Sequence, residues 1–285
     1  MSAFRAPTFA ADAYAKSRPT YTSNLYNLVI DFHAAKFPKN GGQPASTAAA
    51  KATPGWNRVV DLGCGTGQAT IPLSRHFATA LGVDPSEKML SSAARADNVS
   101  YSVGSEKSVP VEDHSVDLVT AAQCAHWFDV EAFVREARRI LRPNGTIAIW
   151  GYALAHVRNN AHLTQVLRDT AYGRGEGQVG PYWEPGREIL ENRYESVTFP
   201  FREQKRIHFP SPTHGTLIDL DLPLPAFKSY VRTWSAYNGW VHDPKNAGKP
   251  DPADTLVAEF ERVLGGPDKM VEIDWQGVLI LATVD

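Results

Sequence analysis

The stretch Val59-Val60-Asp61-Leu62-Gly63-Cys64-Gly65-Thr66-Gly67 joins the hydrophobic end of a strand to an acidic residue and three alternate glycines in one turn. Such a turn lets the backbone take positive φ and approach a ligand with no Cβ in the way. Its spacing narrows the ligand. A dinucleotide fingerprint needs glycine at position 68, where Gln68 stands, and Asp61 would repel a pyrophosphate. The turn suits a cationic ligand with an amino-acid end instead. One unit later, Ala80-Leu81-Gly82-Val83-Asp84 ends a second strand in a carboxylate, which at that edge can accept both hydroxyls of a ribose. Asp84 also stands where an N-cap belongs, ahead of the helix that Pro85-Ser86-Glu87 opens.

The periodicity around these turns sets the architecture. Asn24 to Lys36 spaces Leu25, Leu28, Val29 and Phe32 for one helix face. Pro38 to Gly55 has few large apolar residues and reads as a flexible linker. Strands are expected over 58–61, 80–83, 99–103, 116–121 and 146–150, and helices over 68–76, 86–96 and 130–141. Alternation of this kind implies parallel pairing with right-handed crossovers, a doubly wound α/β sheet whose ligand lies at the C-terminal edge of the strands. Past Gly151 the rhythm breaks. Helices are expected over 158–172, 226–240 and 254–264, a strand over 194–201, and a proline-rich connection from Pro210 to Pro225. Met270 to Val284 alternates Val271, Ile273 and Trp275 against Glu272, Asp274 and Gln276, a last strand that closes the sheet with Trp275 in the core. The reading is one domain over 1–285: an N-terminal helical segment (1–37), a linker (38–56), a core (57–151), and a cap with sheet closure (152–285).

With 285 residues and 43% hydrophobic content, the chain can bury one large core with a modest cap. Its formal charge of −2, with both signs well mixed, offers no basic face for nucleic acid. Cys64 and Cys124 are too few for a disulfide scaffold and lack metal-ligand spacing. Cys64 is expected to pack beneath the glycine turn as a small apolar group. The N-terminus has no apolar leader and no run approaches the length of a membrane span. A soluble, cytoplasmic chain with a small-molecule partner, no metal and no membrane is expected, while oligomeric state is not legible.

The Asp-x-Gly-x-Gly-x-Gly turn resembles motif I of class I S-adenosylmethionine-dependent methyltransferases, and the resemblance implies a Rossmann-like sheet with an antiparallel last strand. Further blocks extend it: Arg18-Pro19-Thr20-Tyr21, Cys124-Ala125-His126-Trp127-Phe128-Asp129, Gly145 to Tyr152, Gly180-Pro181-Tyr182-Trp183-Glu184, and Tyr230 to Tyr237. In order along nearly the whole chain, they are similar to the fungal trans-aconitate methyltransferases and to related cantharidin-detoxifying methyltransferases of fungi. The linker has no counterpart there, and 203–224 matches loosely. The resemblance implies S-adenosyl-L-methionine as cofactor and transfer of its methyl group to a carboxylate of a small acid.

Asp61, Gly63, Gly65, Gly67 and Asp84 are then expected at the cofactor, with Ser105 or Glu106 toward its adenine and Gln123 and Cys124 toward its methionine end. Ser105 and Glu106 also read as a plain turn. Tyr14 and Arg18 are expected to fold over the cofactor carboxylate, or else to lie on a surface helix. His126 sits near its working pKa for a general base. A carboxylate acceptor is already ionised at neutral pH, so positioning is the role expected of it. A polyanionic acid cannot leave water without cationic partners, and arginine matches carboxylates bidentately. Arg187 is favoured over Arg232, whose alternative is a structural ion pair. Trp127, Tyr182, Trp183, Trp234 and Tyr237 complete the expected acceptor site, with packing of the cap as the alternative for Trp183 and Trp234. Other readings are an O- or S-methyltransferase of a secondary metabolite, for which His126 would be essential, and a binding module without turnover. A nucleic-acid amino-methyltransferase is disfavoured, because Gln123-Cys124-Ala125-His126 stands where those enzymes carry an Asn/Asp-Pro-Pro-aromatic element.

Overall fold

A computed structural model describes residues 17–36 and 56–284; the linker and Tyr14 lie outside the described residues. The backbone builds α1 (Ser23–Lys36), β1 (Trp56–Leu62), α2 (Thr70–Ser74), β2 (Phe77–Asp84), α3 (Glu87–Ser91), β3 (Val99–Val103), β4 (Val116–Ala122), α4 (Val130–Ile140) and β5 (Leu141–Val157). It continues through α5 (Ala161–Tyr172), α6 (Gly186–Glu191), β6 (Arg202–Phe209), β7 (Asp219–Pro223), α7 (Leu224–Arg232), α8 (Ser235–His242), α9 (Pro252–Leu264) and β8 (Met270–Thr283).

The sheet runs β3-β2-β1-β4-β5-β8-β6, with β7 also pairing β8. The first five strands are parallel, β8 is antiparallel to β5, and β6 and β7 share the other edge of β8. Strand order reverses between β1 and β4, the crevice where a doubly wound sheet binds its ligand. Alternation along β1 sends Val59 into one hydrophobic core and Val60 and Leu62 into another, so both faces of the sheet are covered. The first core takes side chains from α1, α5, α7 and α9; the second takes Phe133 and Ala137 of α4 and Leu190 of α6. Trp275 is 1% exposed within the first.

Three expectations past Gly151 are corrected. Residues 194–201 are not a strand; the strand is β6, eight residues later than expected at its start. Arg193 and Tyr194 take φ of 55° and 60°, turning the chain, and the carbonyls of Tyr194 and Val197 accept from Arg206 rather than from a ladder. Phe199 and Phe201 alternate like strand residues because both pack on Phe133 of α4. The connection from Pro210 to Pro225 contains β7, paired with 270–274. The expected helix over 226–240 is two helices. Thr233 Oγ1 donates to the Tyr230 carbonyl at 2.6 Å and Trp234 is extended (φ −65°, ψ 138°), so α7 ends and α8 restarts in a new direction. The helices expected over 68–76 and 86–96 are short, five residues each.

Candidate functional site

The turn after β1 crosses the C-terminal edge of the sheet with Gly63, Gly65 and Gly67 at φ of 60°, 54° and 84°. A Cβ on Gly63 would lie 2.7 Å from Cys124, and one on Gly65 would lie 3.2 Å from Met89 Cε. At Gly67 the place that a Cβ would take is filled by the Tyr101 hydroxyl. Asp84 holds this turn. Its Oδ2 accepts from the Gly65 N–H at 2.9 Å and its Oδ1 from Ser86 N–H at 2.8 Å. The helix cap is Ser86, whose hydroxyl accepts from Met89 N–H, and not Asp84.

Asp61 lies behind the turn rather than in the cavity. It is 1% exposed and accepts from Thr70 Oγ1 at 2.6 Å and Thr120 Oγ1 at 2.8 Å. Burial pushes its carboxyl up to about 6, against the pull of the two hydroxyls. It acts on a cavity ligand through space and through the turn it supports.

The cavity in front of the turn encloses about 330 Å³, and its lining includes Gly63, Cys64, Gly65, Asp84, Met89, Ser105, Glu106, Gln123 and Cys124. Burial raises both cysteine thiols well above their ordinary range, which leaves them protonated packing groups. Ser105 and Glu106 line the cavity while holding local backbone, at Lys107 N–H and Asp129 N–H respectively. Gln123 takes φ of 59°, and its amide accepts from Tyr152 N–H at 2.7 Å and donates to Tyr152 O at 3.0 Å. This clasp ties the residue after β4 to the middle of β5, where Tyr152 lines the crevice.

A second, smaller cavity adjoins the first, with Gln123, Trp127 and Tyr152 on both walls. Here the structure gathers Arg18, His126, Trp183, Arg187, Tyr230 and Trp234. Arg187 stacks on Trp183 at 4.6 Å, its Nη2 lies 2.5 Å from Glu191, and its Nε and Nη2 donate to the Tyr172 hydroxyl. Arg18 lines this cavity and not the first. His126 stands 3.4 Å from the Tyr194 hydroxyl, and burial, reinforced by the Arg187 charge, lowers its pKa to about 3.

Three expected acceptor residues stand elsewhere. Arg232 pairs with Asp251 and Asp254 at 2.9 and 2.8 Å on the surface, and Tyr237 donates to Asp251. The helix break at Trp234 points both away from the crevice. Tyr182 donates to Asp243 and packs over Gly239, joining α8 to its neighbours. The sequence reading missed Tyr152, Tyr230 and Met89. Tyr152 carries a signal only in hindsight, since β5 runs seven residues past its expected end.

Comparison with known proteins meets this geometry at its core. Residues 60–149 match the family model described as a methyltransferase domain. The chain is 28% identical over 270 residues to a protein of Dictyostelium discoideum assigned as a methyltransferase, covering 95% of this chain and 91% of the relative. It is 26% identical over 299 residues to Saccharomyces cerevisiae CRG1, assigned as an S-adenosylmethionine-dependent methyltransferase, covering 94% and 93%. A solved structure from Anaeromyxobacter dehalogenans, assigned as a type II methyltransferase, superposes with a TM-score of 0.70 at 26% identity, covering 93% and 97%. The chain is an S-adenosylmethionine-dependent methyltransferase.

The large cavity of the methyltransferase fits that cofactor on three observations. The bare backbone at Gly63 and Gly65 leaves room that a side chain would close, Asp84 lines the cavity, and the carboxylates of Asp84 and Glu106, with Asp61 behind and Lys107 turned to Asp129, favour a cationic ligand. Among the described residues no cluster of His, Cys, Asp and Glu could hold a metal ion, and no helix is long and apolar enough to cross a membrane.

Proposed function

We propose that this methyltransferase acts on a carboxylate of a small organic acid such as trans-aconitate, giving a methyl ester. One observation supports the reading: among the described residues that line the cavity beside the cofactor site stand two guanidinium groups and a neutral imidazole and no Asp or Glu, with Glu191 paired to Arg187 from behind. That is a seat for an anion. The blocks that resemble trans-aconitate methyltransferases supply part of it, including His126, Trp183 and Tyr230.

The cofactor, when bound, supplies a methyl group made electrophilic by a positively charged sulfur. Gly63, Gly65 and Asp84 would hold it, with Ser105 or Glu106 toward the adenine and Gln123 and Cys124 toward the methionine end. Arg187, stacked on Trp183, binds a non-reacting carboxylate and leaves the reacting one unpaired and nucleophilic. That oxygen is ionised at neutral pH and has no proton to lose. A His126 side chain with a pKa of about 3 is too weak a base to take a proton from a phenol or thiol, so it positions the acid. Trp127, Trp183 and Trp234 exclude water. Holding the reacting atoms about 3 to 3.5 Å apart is worth roughly 7 to 11 kcal/mol of barrier. The low dielectric helps further, because the transfer consumes one positive and one negative charge.

The experiment is a panel of small mono-, di- and tricarboxylic acids, phenols and thiols, scored for a mass gain of one methylene with cofactor consumption. Esters of polycarboxylic acids are expected, with kcat flat above pH 7, and Arg187→Met is expected to lose at least tenfold more kcat/KM on trans-aconitate than on a monocarboxylic analogue. Transfer to phenols or thiols alone, with a rate that climbs with pH, would overturn the carboxylate reading.

A further inference from the structure

His126 stands in the short helical turn Ala125–Trp127 after β4 and lines the acceptor cavity. Burial, reinforced by the Arg187 charge, keeps its ring neutral, so one ring nitrogen carries a proton and the other does not. Which nitrogen carries it decides what the ring can offer an acceptor. A proton on Nε2 makes that atom a donor, whereas a proton on Nδ1 leaves Nε2 a bare base.

The choice falls to Tyr194. Its side chain is fully buried, and its hydroxyl makes one side-chain hydrogen bond among the described residues, with His126 Nδ1 at 3.4 Å. Burial holds that hydroxyl protonated, and its oxygen accepts from the His126 backbone N–H. A buried O–H needs an acceptor of its own. If Nδ1 carried the ring proton, the hydroxyl proton would be left without one among the described residues; with Nδ1 bare, the O–H donates to it and both groups are satisfied. The other nitrogen, Nε2, has no partner among the described residues and is not sealed among their buried atoms, so it is the polar atom that the ring offers the cavity.

The backbone holds Tyr194 in this place against its own preference. Arg193 and Tyr194 take φ of 55° and 60°, a conformation that bulky side chains rarely adopt. The Tyr194 N–H donates to the Ile189 carbonyl at 2.9 Å, and Arg206 donates to the Tyr194 carbonyl at 3.2 Å. Gly151 leaves room for the ring, since a Cβ there would lie 3.0 Å from Tyr194 Cε2. Strain of this kind persists where the surroundings over-determine it, and it gathers at functional sites.

We infer that Tyr194 is a positioning residue of this methyltransferase: by donating to Nδ1 of His126 it holds the ring proton on Nε2, where the imidazole donates to the acceptor carboxylate instead of taking a proton from an acceptor. The donor's role rests on the carboxylate reading above, and the tautomer does not. A neutral N–H orients an ionised carboxylate without discharging it, so the attacking oxygen stays nucleophilic while Arg187 supplies the balancing charge to a non-reacting group.

The test reads the tautomer by nitrogen magnetic resonance on protein carrying isotope-labelled histidine, with the His126 signals assigned by their loss in His126→Gln. Wild type should hold the Nε2-protonated ring at neutral pH. Tyr194→Phe removes only the hydroxyl; it should mix the tautomers and lower kcat/KM on trans-aconitate by about fivefold or more, with S-adenosylmethionine affinity within about twofold of wild type. Glutamine places an N–H near Nε2 whatever Tyr194 does, so in a His126→Gln background the same change should cost less than about twofold. An Nδ1-protonated ring in wild type overturns the inference whether or not Tyr194→Phe folds. So does an unchanged tautomer in Tyr194→Phe, or an equal loss in both backgrounds, which would make Tyr194 a packing residue. If wild type holds the Nε2-protonated ring yet esterifies no acid, the carboxylate reading fails and the donor's role goes with it; if it esterifies acids with an Nδ1-protonated ring, the Tyr194 assignment alone fails.

Discussion

At Asp84 two oxygens serve the fold, and the proposed site gives them the cofactor as well. They accept the N–H groups of Gly65 and Ser86, so the carboxylate shapes the glycine turn while facing the cavity. Asp84→Ala should weaken S-adenosylmethionine binding by about 1.5 to 3 kcal/mol and also lower stability, since two backbone donors lose an acceptor. Calorimetry on the folded variant checks the first, and wild-type affinity would remove Asp84 from the site. Gly65→Val combines a φ of 54°, costly for a β-branched residue, with a Cβ only 3.2 Å from Met89. Binding should fall at least tenfold. His126→Asn should retain substantial turnover above pH 7, because a buried imidazole with a pKa near 3 positions rather than deprotonates. Complete loss with cofactor affinity kept would point to an acceptor that must lose a proton.

Among the elements, the α7–α8 break decides which residues of 226–240 turn toward the crevice. Trp234, 2% exposed, turns inward beside Trp183, while Arg232 stays on the outer side against Asp251 and Asp254. Its side chain is 42% exposed, and ion pairs at that exposure contribute about 0 to 1 kcal/mol. Arg232→Met should therefore change kcat/KM on any acceptor by less than twofold and shift the melting temperature by a few degrees at most. A tenfold kinetic loss would return Arg232 to the acceptor site. Parallel strands β1, β2 and β4 bring the glycine turn, Asp84 and Gln123 to one edge, although these lie in three separate stretches of the chain.

Over the whole molecule, acid should unfold the protein through its buried histidines. His33 bonds Thr146 Oγ1 at 2.8 Å between Trp56 and Phe77, and burial lowers its pKa to about 3, as it does for His126. Both folded values lie below the ordinary 6.5, so the unfolded chain binds more protons between pH 6.5 and 3 and stability falls as pH falls through that window. Asp61 works oppositely: its value rises from 3.8 to about 6, so its contribution falls as pH rises across that range. Two histidines against one carboxyl leave a net positive slope, on the order of 1 kcal/mol per pH unit, between about pH 4 and 6. Denaturant melts across that range should show it. In His33→Asn the slope should fall toward zero, and an unchanged slope would mean that His33 is not titrating as buried.

The sequence by itself determined the parts that are local. Three alternate glycines fix a turn wherever they follow a strand, and an acidic strand end one unit later places Asp84 at the same edge, because parallel strands with short crossovers leave no other place for it. The last strand and its buried Trp275 followed from period-two alternation. The acceptor site did not follow, because its residues are joined by packing and not by spacing. Arg18 and Arg187 are distant in the chain and line one cavity only because the N-terminal segment crosses the α7–α8 break. Phe199 and Phe201 mimicked a strand because one-dimensional alternation cannot tell a sheet face from a turn pressed against a helix. Only the tertiary structure decided which carbonyls were left to accept, and thereby which arginine the cavity received.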